Sequence, residues 1–298
     1  MNSKRSFGFT IVELLVAAVI FSVLAGTLTG FLVLSSRLIS RNLATNHSHE
    51  TTRTAAQKML ADLHASGSPF ALVDCSGPAG TTFTQLNASI TADRDPLSQQ
   101  YISTRANGVR FRHLIGGPVK LAAPAAFSDT ALSFDFGVNG QLPYVPEVGD
   151  KVLLPLLSQY YTITAIPVTP TAGNTIGRIR LNKEVGFTLT TAPNEITTGY
   201  FFRLAAYTVF NNELRFHSDF QGAQAAVYHV VHRDVTSPKP FALMYPLSDS
   251  PSTDGRGLRV SLEAYDLKRS AQKIQNGTST LRLIIPPRTL PTQLSSTD

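Results

Sequence analysis

The sequence contains a single cysteine, Cys75, among 298 residues. One thiol excludes an intramolecular disulfide and a thiolate metal cluster, so the fold must depend on its core and its neighbours. The chain also lacks the G-x-S-x-G, P-loop and H-E-x-x-H motifs. We therefore expect no catalytic residue, no metal and no cofactor, and we expect Cys75 to be a buried or bystander thiol.

The histidines and acidic residues show no spacing that favours a metal site. His47 and His49 are two apart on a predicted helix and do not share a face. His229 and His232, on a predicted strand, point to opposite faces. The run 93–95 resembles part of a calcium loop but lacks the glycine and the closing glutamate. We predict that all of these are solvated surface groups.

Charge is absent from a long stretch near the N-terminus. The 21 residues from Leu14 to Leu34 carry none, and at about 1.5 Å per residue a helix of that length spans about 31 Å, the thickness of a bilayer core. The sequence predicts that residues 9–35 cross a membrane. Lys4 and Arg5 favour a cytoplasmic N-terminus and an extracytoplasmic C-terminal part. Residues 35–37 form a poor signal-peptidase site, so we expect the segment to be retained.

Glu13 is a carboxylate at the edge of this apolar segment. A carboxylate at mid-bilayer costs about 2.5 to 3.5 kcal/mol, and it usually has a partner or a function. One interpretation is that Glu13 only complements the helix dipole in the first turn, which contributes about 0.3 to 1 kcal/mol. The interpretation we favour is that cleavage after Gly8 creates an α-amine on Phe9 that pairs with Glu13, within one chain or between neighbours.

The segment 8–18, Gly-Phe-Thr-Ile-Val-Glu-Leu-Leu-Val-Ala-Ala, resembles the class III signal of type IV prepilins and type II secretion pseudopilins. The resemblance implies that a prepilin peptidase cleaves between Gly8 and Phe9 and N-methylates Phe9. It also implies that Glu13 neutralises the N-terminus of an adjacent subunit. The implied partners are other pilins or pseudopilins, the prepilin peptidase and an inner-membrane assembly platform. The mature protein would lie in the inner membrane and then in a pilus or a periplasmic pseudopilus.

Gly26 and Gly30 mark a departure from many major pilins, which carry a proline at the position of Gly30. Each glycine costs a helix about 1 kcal/mol relative to alanine, so we expect the pair to loosen the helix locally. Their G-x-x-x-G spacing also fits close packing of membrane helices. Two tolerated glycines without a packing role are an equal alternative.

The rest of the sequence predicts a pilin-like α+β fold. No proline occurs before Pro69, so the helix should run from about residue 9 to residue 66 and pack its second half on a β-rich domain, 67–298. We expect a barrel-like inserted β subdomain at about 141–190 and an irregular tail at about 287–298. Asn139-Gly140 and Asn211-Asn212 are hairpin dipeptides in an antiparallel sheet with meander connections. The predicted strands are Val109–Ile115, Ala131–Phe136, Lys151–Leu157, Tyr160–Ile166, Thr175–Leu181, Tyr200–Phe210, Leu214–Phe216, Ala226–His232, Leu258–Ala264 and Thr280–Ile285.

Features in the C-terminal third indicate the subclass. A Tyr-x-Val hairpin before Leu214-Arg215, the segments 235–236 and 241–243, and the ending 284–288 resemble the PilW group of minor pilins and its relative, the J-type pseudopilin. The resemblance implies a minor pilin of an initiation or tip complex. The first alternative is a J-type pseudopilin of a type II secretion system.

A second alternative is a pilin-anchored adhesin or DNA-uptake receptor. Without Lys4 and Arg5, the chain has 24 basic and 20 acidic residues, a net charge of about +4. Phosphate contacts supply nonspecific affinity for DNA, but a mildly basic surface without a ligand is the simpler interpretation. An anchored enzyme is a more distant alternative. The basic residues among apolar strand positions include Arg110, Arg112, Arg178, Arg180, Arg256, Arg259, Lys268 and Arg269.

Overall fold

A computed structural model describes residues 10–66, 70–77, 79–87, 89–96, 98–138, 141–157, 159–191, 197–221, 226–245, 257–265 and 278–285. One long helix, α1 (Ile11–Ser66), precedes a series of antiparallel β-strands, which confirms the α+β class. The described residues divide into two compact units: residues 10–50, 265 and 278–279 belong to the first, and those between 51 and 264 and between 280 and 285 belong to the second. The predicted leader, residues 1–8, and the predicted tail, 287–298, lie outside the described residues.

The described strands form two sheets. The order in the larger sheet is β12-β11-β10-β7-β8-β9-β6-β5-β1-β2, and in the smaller sheet it is β15-β14-β13-β4-β3. The bounds are β1 (Ala71–Ser76), β2 (Thr82–Gln85), β3 (Ile90–Arg94), β4 (Tyr101–Ser103), β5 (Gly108–Leu121), β6 (Ala131–Asp135), β7 (Lys151–Leu154), β8 (Gln159–Val168), β9 (Ile176–Leu181), β10 (Thr198–Phe210), β11 (Glu213–His217), β12 (His229–His232), β13 (Phe241–Tyr245), β14 (Gly257–Tyr265) and β15 (Thr278–Ile285).

The second half of α1 packs on the larger sheet. Ala55, Met59 and Leu63, at helical spacing, share one buried cluster with Phe111 of β5 and Tyr207 of β10. Met59 is fully buried. The last turns of the helix are therefore held by the core of the second unit.

Six strands of the larger sheet close into a barrel. β5 and β10 pair along most of their length, and β10 also pairs with β7. The circuit continues from β7 through β8, β9 and β6 and returns to β5. Every pairing is antiparallel, and closure removes the free edges of these six strands.

A second buried cluster fills this barrel. It includes Phe134, Tyr161, Ile179 and Phe201, and its buried members range from Val119 to Phe201. The cluster therefore draws on β5, β6 and β10 as well as on strands from the predicted insertion at 141–190. The limits of a separate subdomain stay a prediction.

The turn between β10 and β11 confirms one predicted hairpin. Asn211 and Asn212 have φ angles of 49° and 61°, and Phe210 pairs with Glu213 across the two-residue loop. Two positive φ angles are typical of a type I′ turn, which asparagine tolerates. The dipeptide Asn139-Gly140 lies outside the described residues.

The prediction of meander connections was wrong for part of the larger sheet. β7-β8-β9 and β10-β11-β12 are meanders, but β5 pairs with β10 and β6 pairs with β9. The strands β1 to β4 and β13 were not predicted. They are three to six residues long and leave little periodic signal in the sequence.

Candidate functional site

The start of α1 is a capping box formed by Thr10 and Glu13. The backbone N–H of Glu13 donates to Thr10 Oγ1 at 3.3 Å, and the backbone N–H of Thr10 donates to Glu13 Oε2 at 2.9 Å. The Thr10 hydroxyl also donates to Oε2, at 2.9 Å. This arrangement satisfies two free N–H groups at the helix N-terminus and holds the carboxylate there.

The first part of α1 exposes apolar side chains on all of its sides. Ile11 is 80% exposed, Phe21 72% and Phe31 66%, and eighteen large apolar side chains between Ile11 and Leu43 are exposed. Among the described residues this helix alone is long and apolar enough to cross a membrane. A helix that is apolar all round needs lipid or other helices as its surroundings.

Three hydroxyl groups of this segment are satisfied within the helix. Ser22 donates to the carbonyl oxygen of Ala18, and Thr29 donates to that of Ala25, each at 2.8 Å. Thr27 donates to the carbonyl oxygen of Leu24 at 2.9 Å. These side chains therefore need no outside partner in an apolar environment.

Gly26 and Gly30 lie on a continuous stretch of α1. The helix is not interrupted at either residue. A Cβ atom added to either glycine would meet no heavy atom within 4 Å, so both positions are open on the surface of the described chain. A neighbouring helix could approach the backbone closely there.

Cys75 is buried, as the sequence predicted. Its side chain is 3% exposed, and Sγ donates to the carbonyl oxygen of Gly80 at 2.9 Å. Burial raises the pKa of the Cys75 thiol, although the hydroxyl of Thr208 and the charge of Arg215 oppose the effect. The position therefore disfavours both thiolate chemistry and an intermolecular disulfide.

The prediction that the run 93–95 is wholly solvated was wrong for Asp95. This carboxylate is 1% exposed, and its Oδ1 lies 3.1 Å from Nε of Arg259 on β14 in an ion pair. Its Oδ2 accepts a hydrogen bond from the backbone N–H of Ser98 at 2.9 Å. Asp95 therefore holds a loop to the smaller sheet.

The four histidines considered as metal ligands form no metal site with other described residues. His47, His49 and His229 are exposed, and Nε2 of His232 lies 3.3 Å from Oγ1 of Thr52. Within the part of the chain that the structure describes, no group of three or more histidine, cysteine or acidic side chains has the arrangement of a metal site.

Two buried polar pairs were not predicted from the sequence. The Tyr207 hydroxyl donates to Asp62 of α1, and Asp150 accepts hydrogen bonds from Nε and Nη2 of Arg203 at 2.8 and 2.9 Å. The first pair joins residues 145 apart and the second joins residues 53 apart. No local sequence pattern predicts contacts over such separations.

The comparison with known families bears on the N-terminal segment. Residues 3–29 match the family model described as Prokaryotic N-terminal methylation motif. The methylation motif spans the capping box and most of the exposed apolar helix, and it supports a type IV pilin-like or pseudopilin-like protein. Motif and helix together support membrane anchoring. No curated protein and no solved structure gives a significant match to the chain.

Proposed function

We propose that this protein is a PilW-type minor pilin, a structural subunit of a type IV pilus or a pilus-like filament. The observation that carries the proposal is the methylation motif at residues 3–29, which overlaps the first part of α1, where the apolar side chains are exposed among the described residues. A surface of this kind is stable only in lipid or against other helices. Movement from the membrane into a filament of similar subunits would provide both environments in turn.

The proposed maturation acts at the start of the helix. Prepilin peptidase cleaves between Gly8 and Phe9 and N-methylates Phe9, which leaves a cationic amine about one turn from Glu13. Cleavage there preserves the capping box, because Thr10 and its backbone N–H stay in the mature chain. The two hydrogen bonds that the Glu13 carboxylate accepts both end on Oε2, and the third bond of the box runs from the Glu13 N–H to Thr10. Oε1 therefore accepts no hydrogen bond from the described residues. Oε1 is therefore the atom we assign to the amine of an adjacent subunit.

The proposal also covers location and partners. The leader stays in the cytoplasm, the apolar helix crosses the inner membrane, and the β-rich domain is extracytoplasmic before assembly. The partners are other pilins, which contact the N-terminal helix, the prepilin peptidase and the inner-membrane assembly platform. Within the filament we place the subunit in an initiation or tip complex.

The first test is the intact mass and N-terminal sequence of the protein purified from membranes of its native host. We expect a chain that begins at N-methylated Phe9. A chain that keeps Met1 would contradict processing and would make the helix a plain membrane anchor.

The second test separates the charge of Glu13 from its capping role. Glu13→Gln keeps an oxygen that accepts from Thr10 but removes the negative charge, whereas Glu13→Val removes both. We expect both variants to be processed and both to be lost from sheared filaments. Normal incorporation of Glu13→Gln would show that the carboxylate acts only as a helix cap.

The same N-terminal features fit a J-type pseudopilin of a type II secretion system, which remains our first alternative. Deletion of the chain's gene in its native host distinguishes the two roles. Loss of surface filaments with normal secretion supports the pilus role. Accumulation of secreted proteins in the periplasm with normal pili supports the pseudopilin.

A further inference from the structure

The larger sheet presents basic side chains on the face turned away from the second half of α1. Val109 and Phe111 of β5 lie in the core that contains the helix. Because side chains alternate along a strand, Arg110 and Arg112 point to the opposite face. On β10, Arg112 pairs with Leu204 and Lys151 of β7 pairs with Phe202, two residues away on the same strand. Lys151 therefore lies on the same face as Arg112. We call Arg110, Arg112 and Lys151 the basic face.

Contacts on β8 draw two of these cations together. The Arg112 guanidinium lies over the ring of Tyr160, 4.0 Å from its centroid, and Lys151 Nζ donates to Thr162 Oγ1 at 2.6 Å. Tyr160 and Thr162 are two residues apart and so share a face of the strand. Arg110, two residues before Arg112 on β5, donates a 3.1 Å hydrogen bond from Nη2 to Gln85 Oε1 on β2.

The three cations lack a counter-charge within the described part of the chain. The ion pairs found there involve Arg203, Arg215, Arg233 and Arg259, and no carboxylate pairs with the basic face. All three side chains are half-buried. Burial lowers the pKa of Lys151, and the charges of Arg112 and Arg110 lower it further. Half-buried like charges without compensation are costly, and an anion relieves that cost.

We infer that the basic face binds a phosphate group. The guanidinium of Arg112 offers paired donors to two oxygens of a tetrahedral anion, and Lys151 adds a compact positive charge. The Tyr160 hydroxyl lies beside the Arg112 guanidinium: burial raises the pKa of Tyr160, and the charge of Arg112 and a hydrogen bond with it oppose that effect. The site is separate from the N-terminal helix and does not depend on the filament role.

The test is a calorimetric titration of the full chain in nonionic maltoside micelles with inorganic phosphate at constant ionic strength. We expect saturable binding of one phosphate per chain. Arg112→Gln should weaken it about tenfold or more, because the variant loses a charge-assisted hydrogen bond to the anion. Lys151→Gln should weaken it in the same direction. If Arg112→Gln lowers the melting temperature, Lys151→Gln provides an independent test of the site.

The matched control is the double variant Arg178→Gln, Arg180→Gln. These arginines are exposed on β9 and form no ion pair with a described residue, so the control removes two positive charges elsewhere on the barrel. We expect unchanged phosphate binding. Equal losses in the control and in Arg112→Gln would overturn the site in favour of general charge attraction.

A second arm distinguishes a soluble phosphate from a lipid headgroup. Micelles doped with phosphatidylglycerol replace inorganic phosphate as the ligand, and the same variants are compared. If binding depends on Arg112 in the doped micelles but not with inorganic phosphate, the site is supported and its ligand is the phosphate of a lipid headgroup. Failure of wild-type protein to bind in either arm would overturn the proposal.

Discussion

The hydroxyl of Tyr207 on β10 donates a hydrogen bond to the carboxylate of Asp62 on α1. Tyr207 is fully buried, and its ring stacks on Phe111 with centroids 5.6 Å apart. Burial, with the nearby Asp62 carboxylate as a smaller cause, raises the pKa of Tyr207, so the hydroxyl stays a donor. The end of the helix is therefore fixed to the sheet by a directed contact as well as by apolar packing.

Tyr207→Phe should destabilise the second unit by about 1 to 3 kcal/mol, because Asp62 loses its donor in a half-buried position. Urea unfolding followed by circular dichroism measures the change. Tyr200→Phe is the control on the same strand and should change stability by less than about 0.5 kcal/mol. Equal stability of Tyr207→Phe and wild type would show that apolar packing alone holds the helix end.

Asp150→Asn should be among the most damaging substitutions in the barrel. The Asp150 side chain is fully buried and Arg203 is 17% exposed, so the change leaves a nearly buried guanidinium without its main anion. Loss of one partner of a buried pair costs about 3 to 5 kcal/mol. The control is Glu147→Gln, which removes the other carboxylate that pairs with Arg203. The Glu147 side chain is 56% exposed, so this change should cost less than about 1 kcal/mol of stability. Similar melting temperatures for the two variants would contradict this ranking.

His113 should make stability depend on pH. Burial lowers the pKa of His113 below its ordinary 6.5, with Asp62 opposing and Lys58 adding to the effect. The unfolded chain then takes up the proton first, so stability is full above pH 6.5 and is lost as pH falls through the folded-state pKa. The urea concentration at the unfolding midpoint should decrease as the pH is lowered from about 7.5 to about 5.5, and the decrease should be smaller in His113→Gln. An identical decrease in the variant would assign the effect to other groups.

Cys75 should resist thiol reagents in the folded protein. Because the chain has one cysteine, every label reports on this site. We expect labelling on the order of a hundredfold slower than in urea, since reaction requires local opening. In the double variant Cys75→Ala, Ser218→Cys the thiol is at an exposed position and should react rapidly. Rapid labelling of native Cys75 would show that strand β1 opens readily.

The sequence determined the features that depend on neighbours along the chain. An uncharged run of 21 residues predicts an apolar helix, and Thr10 and Glu13 are three apart, the spacing of a capping box. Alternating apolar residues predicted ten of the strands, and Asn211-Asn212 predicted the hairpin. In each case the physical cause lies within about four residues, so it can be read locally.

The tertiary structure alone decided how the strands close and which polar groups meet. Barrel closure requires β5 to pair with β10, whose residues are about ninety positions away, and the register is fixed by the shared core and not by a turn. The pairs of Tyr207 with Asp62 and of Asp150 with Arg203 arise only after closure. The basic face arises in the same way, because strand order brings Arg112 and Lys151 to one surface that their spacing in the sequence does not reveal.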